Sequence, residues 1–136
     1  MEKLTNNFRL NEFLRSKWFD KETQAKVISL YNNTDSIKHN IQKLACQLQT
    51  LRDHLSVPIT INIAYRPVFY ELSKGRSGNS QHTLGKAADI KAKGFTPPQI
   101  ADEIEKLIEK GDMLQGGLSA YSTFVHYDIR KTKARW

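Results

Sequence analysis

Six apolar residues, Ile37, Ile41, Leu44, Leu48, Leu51 and Leu55, recur at alternating steps of four and three, and this repeat predicts a long helix with one buried stripe. Such a helix needs an apolar surface along one whole side. The chain beyond it supplies one. Pro58 stops the helix, and Ile59, Ile61 and Ile63 then alternate with Thr60, Asn62 and Ala64 at the period of two that a strand requires. Lys86 to Ile90 reads as another short strand. Thr96, Pro97 and Pro98 open a second helix with Ile100, Ile104, Leu107 and Ile108 as its stripe and Gly111 at its close. Gly116-Gly117 reads as a turn, and Leu118 to Tyr121 followed by Phe124 to Arg130 as a hairpin or two neighbouring strands. Ahead of the long helix, Met1 to Leu30 places Phe8, Leu10, Phe13, Leu14, Trp18 and Phe19 among polar residues, which suits one or two short helices. Asn32 to Ser36 is a polar turn, with Asp35 or Ser36 placed to cap the long helix. The order of elements predicts an α+β domain with helices packed on one mainly antiparallel sheet. With 136 residues, 39% of them hydrophobic, the chain can build one core, so residues 1–136 are expected to form a single domain with 1–35 as a helical extension packed on it.

Several classes of function are disfavoured by composition. No apolar run approaches the roughly 20 residues of a membrane helix, and the first ten residues lack the basic start and apolar stretch of a signal peptide. Synthesis in the cytoplasm without membrane insertion is the expectation. Cys46 is the only cysteine, which rules out an intrachain disulfide and a cysteine-based zinc site; it is expected in or beside the core as a small hydrophobe. Any metal must then be held by histidine and carboxylate. The formal charge of +7 favours an anionic partner. The basic residues are scattered, apart from Arg130, Lys131, Lys133 and Arg135, and no aromatics are set within basic stretches, so nucleic acid is not the expected partner.

The chemistry concentrates in Ser80-Gln81-His82-Thr83-Leu84-Gly85-Lys86-Ala87-Ala88-Asp89 and in Phe124-Val125-His126-Tyr127-Asp128. A catalytic zinc site takes three protein ligands and keeps a fourth position open. His82, Asp89 and His126 supply that set, with Gly85 allowing the chain to double back between the first two. In a strand through Phe124 to Arg130, residues 124, 126, 128 and 130 share one face, so His126, Asp128 and Arg130 lie on the same side and Val125, Tyr127 and Ile129 on the core side. The zinc site is therefore expected on the sheet.

Ser80, His82, Gly85, Ala87 and Asp89, followed by His126 and Asp128, resemble the motif of the M15 family of zinc D-Ala-D-Ala carboxypeptidases and peptidoglycan endopeptidases, especially its small phage and prophage-type members. The resemblance spans roughly residues 40 to 136. It implies a Zn²⁺-dependent hydrolase acting on peptide bonds of peptidoglycan stem peptides, in the manner of a carboxypeptidase or an endolysin, at the bacterial cell wall and delivered there by a phage particle or through a holin. Arg66 matches the family's substrate-binding arginine, with Tyr65, Ser80 and Gln81 beside it as further substrate contacts, and it is expected to bind a carboxylate without supporting the fold. The family commonly places an acid or histidine three residues before its last zinc histidine, where this chain has Thr123. Asp128 is the candidate to serve as general base instead, or to orient His126; Glu71 is a more remote candidate. A monomer is expected. The alternative carried by Thr123 is a zinc-containing module that binds the cell wall without catalysis.

Overall fold

The computed structural model describes residues 2–136. Among them are five α-helices and five strands, in the order α1 (Leu10–Leu14), α2 (Lys21–Asn32), α3 (Asp35–Leu55), β1 (Ile59–Ile63), α4 (Val68–Ser73), β2 (Ala87–Ala92), α5 (Pro97–Glu109), β3 (Gly117–Ala120), β4 (Val125–Asp128) and β5 (Ala134–Arg135). A 3-10 turn over Gln81–Leu84 precedes β2. The α+β class and the sheet agree with the sequence reading. The strands lie in the order β1-β2-β4-β3-β5, with β1/β2, β2/β4 and β3/β4 antiparallel and the β3/β5 pair parallel.

Local chemistry explains where the helices begin and end. Asp20 caps α2 by accepting the Thr23 N–H at 2.7 Å, and Thr96 with Gln99 forms a reciprocal capping box at the start of α5. The N-cap of α3 is Thr34, one residue earlier than expected, and its side chain makes no capping bond; Asp35 opens the helix, where its charge favours the helix dipole. Ser56, in the left-handed conformation, ends α3 before Pro58 is reached. Three elements depart from the expectation. Helix α4 replaces part of the anticipated loop, β5 adds a short strand, and neither Gly116 nor Gly117 adopts a positive φ; Gly117 is the first residue of β3.

One cluster of buried side chains joins α3 (Ile41, Leu44, Leu48, Leu51) and α5 (Ile100, Ile104, Leu107) to the sheet through Ala88, Ile90, Leu118, Val125 and Tyr127. Phe8, Leu10, Phe13, Leu14, Val27 and Tyr31 belong to the same cluster. The N-terminal segment is thus built into the core, and the Tyr65 N–H donates to Phe13 O at 3.0 Å to tie α1 to the chain after β1. Cys46 is exposed, contrary to expectation. It lies two residues past Leu44, about 200° around the helix from the buried stripe, and Ala45 takes the core position.

Candidate metal centre

The face of the sheet turned away from α3 and α5 carries the polar residues. Asp89 on β2 pairs directly with His126 on β4, and Ala87 with Asp128. Residues opposite one another in an antiparallel pair have Cβ atoms about 4.5–5.5 Å apart, so the register alone brings the carboxylate to the imidazole. His82 reaches them from the 3-10 turn. Gly85 closes that turn at φ 73°, where a side chain is strained, and a Cβ there would press on Ile37 and Ile41 of α3. Asn40 of α3 holds the turn by donating to Leu84 O at 2.8 Å.

Each ring has one nitrogen engaged from behind. His82 Nδ1 lies 2.8 Å from Ala64 O, and a carbonyl only accepts, so Nδ1 carries the hydrogen and Nε2 is bare. His126 Nε2 lies 2.7 Å from Asp128 Oδ2, a carboxylate oxygen, so Nε2 carries the hydrogen and, in the neutral ring that a metal requires, Nδ1 is bare. The two bare nitrogens each stand 3.3 Å from Asp89 Oδ1, and that oxygen is buried without a hydrogen-bond partner. One ligand atom from each of the three residues lies within 4.8 Å of the others. Three electron-pair donors turned toward one point can hold a cation between them. Zinc bonds of about 2.0–2.1 Å at the tetrahedral angle put neighbouring ligand atoms about 3.3–3.4 Å apart, which is the spacing found on both sides of Asp89. Two imidazoles and one carboxylate suit zinc and leave its fourth position open.

Asp128 is wholly buried behind His126, and every approach to it is taken. Oδ1 accepts from the Gly117 N–H at 2.8 Å and from Arg130 Nε at 2.9 Å; Oδ2 accepts from His126 at 2.7 Å and Arg130 Nη2 at 2.7 Å. Burial alone would push its carboxyl up, but these donors hold it well below the usual carboxylate range. The glycine pair exists for this contact. A Cβ on Gly116 would overlap the Asp128 carbonyl and one on Gly117 would overlap its carboxylate.

Two clefts meet at the cluster. One, of about 580 Å³, includes Lys17, Trp18, Arg66, Tyr70, Lys91 and Thr123 in its lining; the other, of about 390 Å³, includes Ser80, Gln81, Tyr121, His126, Arg130 and Trp136. Arg66, Arg76, Asp89 and Phe124 line both, and Asp89 is the one carboxylate in either lining. Arg66 donates its Nε to Glu71 Oε2 at 2.7 Å, and the Ser80 hydroxyl donates to the same oxygen. Glu71 is 1% exposed and lines neither cleft. Burial would raise its carboxyl, and Ser80 and Arg66 together hold it below its ordinary value. Arg66 therefore supports the fold as well as facing the clefts, against the expectation of a binding role alone. Gln81 Oε1 is buried with no hydrogen-bond partner. Tyr65 is in the core and lines neither cleft, so the structure does not bring it to the other residues named from the sequence.

The site also contains residues that the sequence did not single out. Trp136 packs its ring 5.0 Å from that of His126 and donates its indole N–H to the Tyr121 hydroxyl at 2.6 Å, while Tyr121 stacks on Phe124 at 4.7 Å. An aromatic wall thus covers one ligand. Arg130 was legible as a neighbour of His126 by period two; Trp136 and Gly117 carried no such signal. A family model described as Peptidase M15 matches residues 6–128, nearly the whole chain and beyond the reach of the motif resemblance. No curated protein matches the chain at a significant level.

Proposed function

The chain belongs to the peptidase M15 family, whose members are zinc-dependent metallopeptidases, and from that premise we propose that it hydrolyses peptide bonds in the stem peptides of bacterial peptidoglycan. The observation that carries this reading is the convergence of three bare ligand atoms on one point at the meeting of two clefts, with an arginine beside it. His82, Asp89 and His126 would hold the ion, which supplies Lewis acidity to polarise a carbonyl and acidify water.

The chain's own groups do the rest of the positioning. Arg66 is anchored through Nε by Glu71, which leaves its terminal nitrogens to receive a substrate carboxylate or carbonyl. Gln81 Oε1 is an unpartnered acceptor suited to a substrate N–H. Ser80 fixes Glu71 and so acts through Arg66. Asp128 acts as a positioning residue: it sees no solvent, and it sets the tautomer and direction of His126. Space continues on both sides of the cluster, which favours a cut within a peptide over removal of a terminal residue. Carriage by a phage particle or release through a holin is the delivery route this reading assigns.

Digestion of purified peptidoglycan with the zinc-loaded protein, read by mass spectrometry, tests the proposal. Conversion of cross-linked dimers to monomers supports an endopeptidase, and loss of terminal D-alanine alone supports a carboxypeptidase. Zinc binding with neither product would leave a non-catalytic module that binds the wall.

A further inference from the structure

The two clefts differ in chemistry. The larger one is lined by five cations, Lys17, Arg66, Lys74, Arg76 and Lys91, and by a single acid, Asp89, which belongs to the metal cluster. Of those cations Arg66 alone forms an ion pair among the described residues. The Lys17 ammonium stands 5.0 Å from the centre of the Trp18 ring, and that of Lys74 is 5.4 Å from the Tyr70 ring; the acid that feels Lys74, Asp20, forms no ion pair with it and lies outside the lining. Trp18 itself is 51% exposed. The smaller cleft shares Arg66, Arg76 and Phe124 but has none of the three lysines; Tyr121 and Trp136 wall it instead, and its Arg130 is spent on Asp128.

Unpaired like charges gathered in one concavity repel each other and focus a positive potential, so they are matched by an anionic occupant. Lys91 follows Asp89 by two positions on β2, a distance of ~6–7 Å along the strand, or about two residues of an extended peptide. We propose that the larger cleft takes a carboxylate-bearing arm of the substrate, a peptide segment with two or more carboxylates within about two residues of the bond being cut. The other arm lies along the aromatic wall. The cations come from four places in the chain, including the segment between α1 and α2, so the N-terminal segment contributes directly to substrate choice. The identity of what the arm is joined to rests on the peptidase reading; the affinity of the cleft for carboxylates does not.

Two probes separate these. N-acetyl-di-D-glutamate and its uncharged counterpart, N-acetyl-di-D-glutamine amide, are titrated into the full-length zinc-loaded protein by calorimetry. Trp18 fluorescence is followed in the Trp136→Phe background. The acidic probe should bind at least about fivefold more tightly and should perturb Trp18, with the preference fading as salt rises. In the double variant Lys74→Gln/Lys91→Gln, at two exposed positions, the preference should collapse toward one. Equal binding of the two probes, or a preference that survives the double variant, overturns the proposal. So does an oligodeoxynucleotide bound as tightly as the acidic probe and released by the same double variant, since the cleft would then recognise polyphosphate. A clear preference with no cleavage of peptidoglycan would fault the proposed function and leave the cleft standing; cleavage with no preference would do the reverse.

Discussion

Asp128 has no lone pair turned to solvent, and its substitution should therefore act on the metal and not on the chemical step alone. Asp128→Asn is expected to weaken zinc binding by ~10–100-fold, with excess zinc restoring much of the rate. A loss of kcat with undiminished zinc affinity would instead make it a base. Thr123 offers the converse experiment. It is exposed on the cleft that Asp89 also lines, three residues before His126, and no other acid stands there. Thr123→Glu should raise kcat about 10-fold or more by adding the missing acid–base group; an unchanged kcat at full zinc occupancy would show that proton transfer does not limit this enzyme. Arg66 and Glu71 are coupled. Arg66→Ala leaves a buried carboxylate with only Ser80 beside it and should cost ~2–4 kcal/mol of stability, most of it recovered in the Arg66→Ala/Glu71→Gln double variant while activity is not. Thermal melts and rates of the four proteins check this. The clustering of His82, Asp89 and His126 was legible in the sequence because turn glycine, spacing and period two all pointed one way. The saturation of Asp128 was not, since its partners Gly117 and Arg130 act through backbone approach and side-chain reach.

The long helix α3, β1 and the hairpin were readable because each has a period long enough to count. Helix α4 has six residues, too few for a stripe, and it adjoins a glycine-rich passage that reads as loop; yet it carries Glu71 and so holds Arg66 in place. Strand β5 is two residues long and offers no alternation at all. On β1 the register slips between Ile61 and Ile63, which breaks the simple alternation and presents Asn62 to the cleft. Gly117 tests how tightly element and site are joined. Gly117→Ala would drive a methyl group into the Asp128 carboxylate, so a loss of ~1–3 kcal/mol in stability should come with a roughly 10-fold weaker hold on zinc. A destabilised variant that binds zinc normally would mean that β3 shifts without moving Asp128, and the link from glycine to His126 would fail.

Over the whole molecule, the buried cluster takes in the N-terminal segment through Phe8, Phe13 and Val27. No helix among the described residues is long and apolar enough to cross a membrane. The charge was read from the sequence as scattered, with one basic cluster at the end. The fold reverses the emphasis. Arg130 and Arg135 of that cluster are held by Asp128 and Glu105, whereas Lys17, the neighbours Lys74 and Arg76, and Lys91 converge on one cleft. Only tertiary structure could assemble that surface, because with Arg66 four separate segments contribute to it. The central claim is that His82, Asp89 and His126 hold the one zinc on which hydrolysis depends. Stepwise return of zinc to the chelator-treated protein, with bound metal and release of muropeptide products measured at each step, tests it most directly. Activity should climb with zinc to a plateau at about one ion per chain, and His126→Ala should show neither binding nor activity. Full hydrolysis by the metal-free protein, or full zinc binding by His126→Ala, would contradict it.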